Sequence, residues 1–251
     1  VTNALGQHTL TLAYGSGITF GYGEWLQSGT DANNQATTYQ YDVLGRLTGL
    51  TKPGETAGDL TTQYVYTIWR PAPGASTPCS EEDTIQRYDS STTVTTRAFY
   101  DGWGKVAETR VPVDSSHDVV TYTTYDAREE AIFTSRPYYV GSGSGYSAPD
   151  STQLGSSAVY DAAGRQTQNT DPAGAMTTTS YLQVTGPDSA TYLGTQVVDA
   201  NHHQIETLTD PLGHTRYDET FTGTSSPYTL YATTSQAYDF QGNLVTITHP
   251  D

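Results

Sequence analysis

Tyr160-Asp161-Ala162-Ala163-Gly164-Arg165 decides the fold of this chain, because the same pattern is written four times. It recurs as Tyr41-Asp42-Val43-Leu44-Gly45-Arg46, Tyr100-Asp101-Gly102-Trp103-Gly104-Lys105 and Tyr238-Asp239-Phe240-Gln241-Gly242-Asn243. A type I turn favours Asp at its first position and Gly at its fourth. The Asp side chain accepts a hydrogen bond from a backbone N–H two residues on. The Gly takes the positive φ that closes a hairpin with a bulge. Asp-x-x-Gly therefore predicts a hairpin turn, with the Tyr ending the incoming strand and the Arg or Lys starting the outgoing one.

A second mark keeps the period. Eleven residues after the Asp stands Pro at Asp42/Pro53, Asp101/Pro112, Asp126/Pro137, Asp161/Pro172 and Asp239/Pro250, and one residue later at Asp199/Pro211. Proline cannot donate to a sheet ladder, so it marks the far end of a strand. Near it lies a half-repeat, Asp171-Pro172-Ala173-Gly174 and Asp210-Pro211-Leu212-Gly213, with Asn3-Ala4-Leu5-Gly6 as a form lacking the proline. These are turns again. Two copies are worn: Glu129 replaces Gly after Asp126, and after Asp199 the residue offered for a left-handed conformation is Asn201. Turns alternating with strands of roughly five to eight residues make an all-β antiparallel meander of repeated hairpins. A repeat of this kind buries its apolar face only against its neighbours.

These Tyr-Asp units resemble the YD-repeat, or Rhs, family: the repeat region of bacterial Rhs proteins, of the B and C components of insecticidal toxin complexes, and of teneurins. The resemblance runs from about Asn3 to Asp251, with diverged stretches between copies. It implies a long sheet that spirals into a hollow, shell-like β-solenoid, often around a toxic C-terminal domain. It also draws attention to Asp171 and Asp210, since relatives carry an Asp-Pro-x-Gly-Leu core motif that performs aspartate-dependent self-cleavage. Here Ala175 and His214 stand where that Leu would be, so the expectation for both units is turn chemistry.

Composition agrees with a sheet of modest core. Exchanging the 20 Tyr for the 24 Gly in the 35% hydrophobic fraction leaves roughly 37%, against ~45–50% in ordinary domains. Apolar burial must then lean on Tyr, with its large face and polar tip, and on Thr, about one residue in six. The formal net charge is −16, with Lys52 and Lys105 the only lysines. Without a basic stripe, nucleic acid and anionic membranes are unsuited partners. The single Cys79 excludes an internal disulfide framework and reads as a bystander thiol. There is no signal-peptide pattern, transmembrane run or lipidation motif in the sequence.

One domain is expected over 1–251, with loops at about 70–88, 138–156 and 223–227 decorating the sheet. The first and last residues fall at nearly the same phase of the repeat: Thr2-Asn3-Ala4-Leu5-Gly6 and Thr248-His249-Pro250-Asp251 both align with the stretch from Thr209. Either the chain is a slice of a longer protein, or copies stack end to end, which makes a filament when the contact does not close.

Other chemistry is weakly signalled. His202 and His203 are adjacent and so point to opposite faces of a strand; either meets His214 only across a hairpin, and neither they nor His8 and His249 form a ligand set. Glu81-Glu82-Asp83 reads as a solvated acidic loop without a calcium-loop spacing. Gly141-Ser142-Gly143-Ser144-Gly145 lacks a nucleophile at the centre of its frame. Tyr138, Tyr139, Trp69 and Trp103 are candidates for stacking on sugars, Trp103 more readily for sheet-edge packing.

The reading is a structural segment with no catalytic residue, cofactor or metal, part of the shell of a secreted or cell-surface bacterial protein of the Rhs or toxin-complex type. Its working residues are the turn-formers Tyr41, Asp42, Gly45, Arg46, Tyr100, Asp101, Gly104, Lys105, Tyr160, Asp161, Gly164, Arg165, Asp171, Gly174, Asp210, Gly213, Tyr238, Asp239 and Gly242. Its partners would be further repeats of a parent chain or head-to-tail copies of itself, with an enclosed toxin domain or glycans as candidate ligands. A fibre or adhesion subunit and a carbohydrate-binding module are the alternatives.

Overall fold

The computed structural model describes residues 10–15, 25–55, 60–68, 78, 80–89, 91–143 and 145–250. Asn3, His8, Trp69, Cys79 and both chain ends lie outside them. Among the described residues there is no helix; there are nineteen strands. In chain order they are β1 (Leu10–Gly15), β2 (Trp25–Asp31), β3 (Ala36–Tyr41), β4 (Leu47–Thr51), β5 (Thr62–Ile68), β6 (Ser80–Arg87), β7 (Thr93–Tyr100), β8 (Val106–Pro112), β9 (His117–Tyr125) and β10 (Ala131–Ser135). There follow β11 (Tyr138–Gly141), β12 (Gly155–Tyr160), β13 (Gln166–Thr170), β14 (Met176–Thr185), β15 (Thr191–Val198), β16 (Gln204–Thr209), β17 (Thr215–Thr222), β18 (Thr229–Tyr238) and β19 (Leu244–Thr248). All pairings are antiparallel and nearly all join consecutive strands, which is the meander the turn spacing calls for.

The residues group into two compact units. The first holds Val1–Tyr122 and Pro137–Ser151, the second Thr123–Arg136 and Thr152–Asp251. β9 contributes to both. In the first unit its early residues pair with β11, from Tyr138↔Val120 to Gly141↔His117. In the second its last residues pair with β10, and β10 then pairs with β12 across Phe133↔Ser157 to Ser135↔Gly155.

The register shifts by one residue just before each Tyr of the repeat, at Gln40/Tyr41, Phe99/Tyr100, Val159/Tyr160 and Ala237/Tyr238. A bulge there is what a turn with one extra left-handed residue demands. The Arg or Lys does not begin the outgoing strand, as the sequence suggests; it closes the turn, and the strand starts one residue later.

Two loop boundaries are corrected. Residues 80–87, placed in the loop at about 70–88 with its prolines and acidic run, are strand β6, paired with both β5 and β7. Glu81, Glu82 and Asp83 are part-buried strand residues, and Arg97 on β7 lies within 3.6 Å of both Glu81 and Asp83. The loop expected at 138–156 is shorter, since Tyr138–Gly141 continues along β9 beyond Pro137 and β12 begins at Gly155. Residues 223–227 do form a loop between β17 and β18.

The core is small and unusually polar. In the first unit one face of β7–β9 buries Phe99, Val120 and Tyr122 together with Glu108, Arg110 and Asp118. In the second, Tyr192 and Leu208 are buried beside Gln204, Glu206 and Glu219. A chain poor in aliphatic residues fills its interior with polar ones, and each then needs a partner.

Candidate functional site

The recurrent structure of the chain is a hydrogen-bonded ring at its turns. In the Asp161 turn, Asp161 N donates to Arg165 O and Gly164 N donates to Asp161 O. Asp161 Oδ1 accepts from the N–H of Ala163 at 2.8 Å and of Arg165 at 3.0 Å. Oδ2 is left for the side chain of Arg165, whose Nε donates at 2.8 Å. The same ring stands at Asp42, Asp101, Asp171, Asp210 and Asp239. The backbone N–H of Arg165 and its guanidinium hold the Asp161 carboxyl below its ordinary pKa. Asp126 and Asp199 are shifted the same way, first by the N–H groups of Glu130 and His203.

The fourth turn residue always has positive φ. Gly45, Gly104, Gly164, Gly174, Gly213 and Gly242 lie between 78° and 89°. At Gly45 a second constraint applies, since a Cβ there would run into the indole of Trp25. The worn copies keep the geometry with the wrong residue: Glu129 has φ 65° and His202 has φ 63°. The left-handed residue of the Asp199 turn is thus His202 and not Asn201, because Asp199 N pairs with His203 O and fixes the count at five.

Tyr and Arg have further work that spacing alone does not reveal. Tyr41 Oη donates to Leu26 O at 3.0 Å, and Tyr160 Oη to Ala131 O at 3.2 Å, each tying its strand to the hairpin before it. Arg46 lies over the ring of Tyr66, 4.4 Å from its centroid, while Tyr66 Oη donates to Leu47 O. In the second unit Arg165 lies 4.1 Å over Tyr181, whose Oη donates to Gln166 O. Each of these two turns is therefore clamped to the following strand by a cation–π contact and a tyrosine hydroxyl.

One cluster went unforeseen. In the first unit the insert after β11 lies over the polar face of β8 and β9. Arg110 Nε donates to Glu108 Oε1 and its Nη1 to Asp118 Oδ2, both at 3.1 Å, and Nη2 bonds Ser147 Oγ. The insert returns the contacts: Ser147 N donates to Glu108 Oε2 at 2.9 Å and Gly143 N to Asp118 Oδ2 at 3.0 Å. Tyr146 packs edge-on against Phe99, and Tyr122 Oη donates to Asp150 O. Arg110 is 2% exposed, so its charge is tolerated only because two carboxylates and the loop surround it. Burial raises the Glu108 pKa despite the hydrogen bonds from Ser147 and Arg110. A Glu-x-Arg pair on a strand is an ordinary surface pattern, and only the insert, remote in sequence, buries it.

The other candidates are dispersed. Asp171 and Asp210 are occupied by their turns. His203 sits 3.2 Å from Asp199 at one end of β16 and His214 sits 3.3 Å from Asp210 at the other, so they do not meet. His214 instead stacks on Tyr238, centroids 4.6 Å apart. Among the described residues no group of three or more His, Cys, Asp or Glu could hold a metal. Trp103 sits at a turn tip, 77% exposed, and does not pack on the sheet edge. Tyr138 packs on Tyr122 and Tyr139 on the ring of His117, so among the described residues these aromatics do not form one platform.

Known proteins agree with this architecture. The family described as RHS Repeat matches residues 21–57. No curated protein matches the chain. Among solved structures, the crystal structure of TcdB2-TccC3 superposes with a TM-score of 0.67 at 17% identity, over 90% of this chain and 14% of that one. TcdB2-TccC3 without its hypervariable C-terminal region gives 0.68 at 15% identity, over 90% and 16%. The Photorhabdus luminescens Tc holotoxin pore, carrying a TccC3 mutation, also gives 0.68 at 15%, over 90% and 16%. The likeness to YD-repeat and toxin-complex proteins is thus one of repeat and of fold, and this chain spans about a sixth or less of the chains it matches.

Proposed function

We propose that this segment is a wall element: a passive stretch of YD-repeat sheet in the β-shell of a secreted, toxin-complex-like bacterial protein, without catalytic activity of its own. One observation carries the reading. The carboxylates of the repeated turns and those beneath the insert are engaged in holding backbone: those of the turns accept the N–H groups of their own rings, and Glu108 and Asp118 accept those of the insert. The fold likeness to TcdB2-TccC3 supports the shell, further repeats of a parent chain as its neighbours, and an enclosed domain as its cargo.

The test is protease digestion of the full gene product that contains these residues. A wall predicts that residues 25–250 survive within one resistant particle, together with whatever they enclose. Rapid excision of the region as separate peptides would overturn it. The fibre reading is separated by light scattering over rising concentration, where the wall reading expects no filament growth.

A further inference from the structure

The two units treat buried carboxylates differently. In the first, Arg110 lies between Glu108 and Asp118. In the second, Glu206 on β16 and Glu219 on β17 stand directly opposite each other in register, 4% and 8% exposed. Directly opposed residues have Cβ atoms about 4.5–5.5 Å apart. The row through them runs from Ser180 on β14 and Gln196 on β15 to Thr233 on β18. Gln204, Leu208 and Tyr217 flank the pair along its own strands, and Tyr192 and Gly194 lie beside it on β15. Asp218 alternates onto the opposite face of β17, where it accepts from Thr207 and Gln236, and Arg216 stands in the bulge before Tyr217 with its Nε donating to Gln236 O. The strand positions on this face of β14–β18 carry no Lys, Arg or His; the other titratable groups are Tyr192, Tyr217 and Tyr231, two residues from Thr233 on β18, with Asp188 held by Tyr192 Oη at 2.6 Å and the charge of Arg216 reaching Tyr192 and Tyr217. Glu206 Oε2 has Gln196 Nε2 at 3.3 Å, while buried Oε1 lies against Gly194 with no hydrogen-bond partner.

We propose that Glu206 and Glu219 together hold a proton to higher pH than an ordinary carboxyl does and act as a proton-dependent clasp between β16 and β17. Two adjacent desolvated carboxylates without a cation cannot both ionise cheaply, and the proton they keep belongs to the pair. Burial, followed by the charge of Glu206, raises Glu219, against a hydrogen bond from Thr233. A raised folded pKa gives stability that is complete below the unfolded value and lost as pH rises through the folded one. The clasp therefore holds in acid and loosens as pH rises through the raised folded value. This rests on the geometry of one unit and stands independently of the wall reading.

The experiment is a carbon-13 NMR titration of the glutamate carboxyls in the whole chain, with Glu206→Gln and Glu219→Gln for assignment. In the parent, Glu219 should titrate apart from the raised Glu81 and Glu108 of the first unit and well above the ordinary ~4.3, with a midpoint at least about tenfold lower in proton concentration. In Glu206→Gln the value for Glu219 should fall back toward it. Hydrogen exchange over residues 204–222 should rise on going from pH 5 to pH 9, after correction for intrinsic exchange. That rise should be about tenfold larger in the parent than in Glu219→Gln, matching the tenfold displacement of the proton equilibrium. Ordinary titration of Glu219 in the parent, or a Glu219 value untouched by Glu206→Gln, overturns the proposal. If neither variant folds, Glu206→Asp and Glu219→Asp supply the assignment.

Discussion

At the scale of single residues the turn ring makes sharp demands. Gly164 holds φ 78°, with Glu130 Oε1 close to where a Cβ would sit. Gly164→Val should cost about 2 kcal/mol or more, because a β-branched residue resists positive φ. Asp161→Ala should lower the melting temperature by less, since water can replace the carboxylate at this exposed turn. Equal melting temperatures for Gly164→Val and the parent would contradict the strain argument. Gly45 and Gly104 offer a matched comparison. Both have φ near 80°, but only at Gly45 does a Cβ meet a side chain, Trp25. Gly104→Ala should cost about 1–2 kcal/mol of left-handed strain; Gly45→Ala should cost clearly more in denaturant unfolding. The Asp-x-x-Gly spacing was readable because each of these demands is local. The clamps of Arg46 on Tyr66 and Arg165 on Tyr181 were not, because they join residues separated by a hairpin.

Between elements, the decisive contact is the insert seated on β8 and β9. Arg110→Ala leaves Glu108 and Asp118 buried without their cation and should destabilise the chain by about 3–5 kcal/mol. Limited proteolysis should then cut first between residues 142 and 154; an unchanged cleavage pattern would show that the guanidinium does not hold the insert. Strand existence was legible from alternation and from the turns that bound it, as in Val119–Tyr125, which lies within β9. Strand β6 was not, since Ser80-Glu81-Glu82-Asp83 carries no apolar signal. Its place depends on Arg97, a residue on the next strand that spacing cannot assign to it. The same holds for β11, whose partner β9 is fixed by pairing across Pro137 and not by any local pattern.

For the whole chain, charge sets the pH response. The turn carboxyls of Asp126, Asp161 and Asp199 are lowered by backbone N–H groups. Lowered groups give stability present above their unfolded value, ~3.9, and lost as pH falls through the folded one. Glu81 has the opposite sign: burial, with Asp83 beside it, lifts it to about 7 against the pull of Arg97. Its contribution is present below ~4.3 and disappears as pH rises through the folded value. Self-repulsion of a chain with net charge −16 adds to the loss toward alkaline pH. Urea midpoints should therefore peak in mild acid, falling below about pH 4 and again as pH rises toward about 7; a peak at about pH 8 would contradict these assignments. The central claim, that the repeated turns build a wall, is tested most directly by electron cryo-microscopy of the full gene product containing these residues. The account predicts the strands of this segment in the boundary of a hollow particle. Finding them as a detached domain with solvent on both faces, or stacked end to end in a filament, would contradict it.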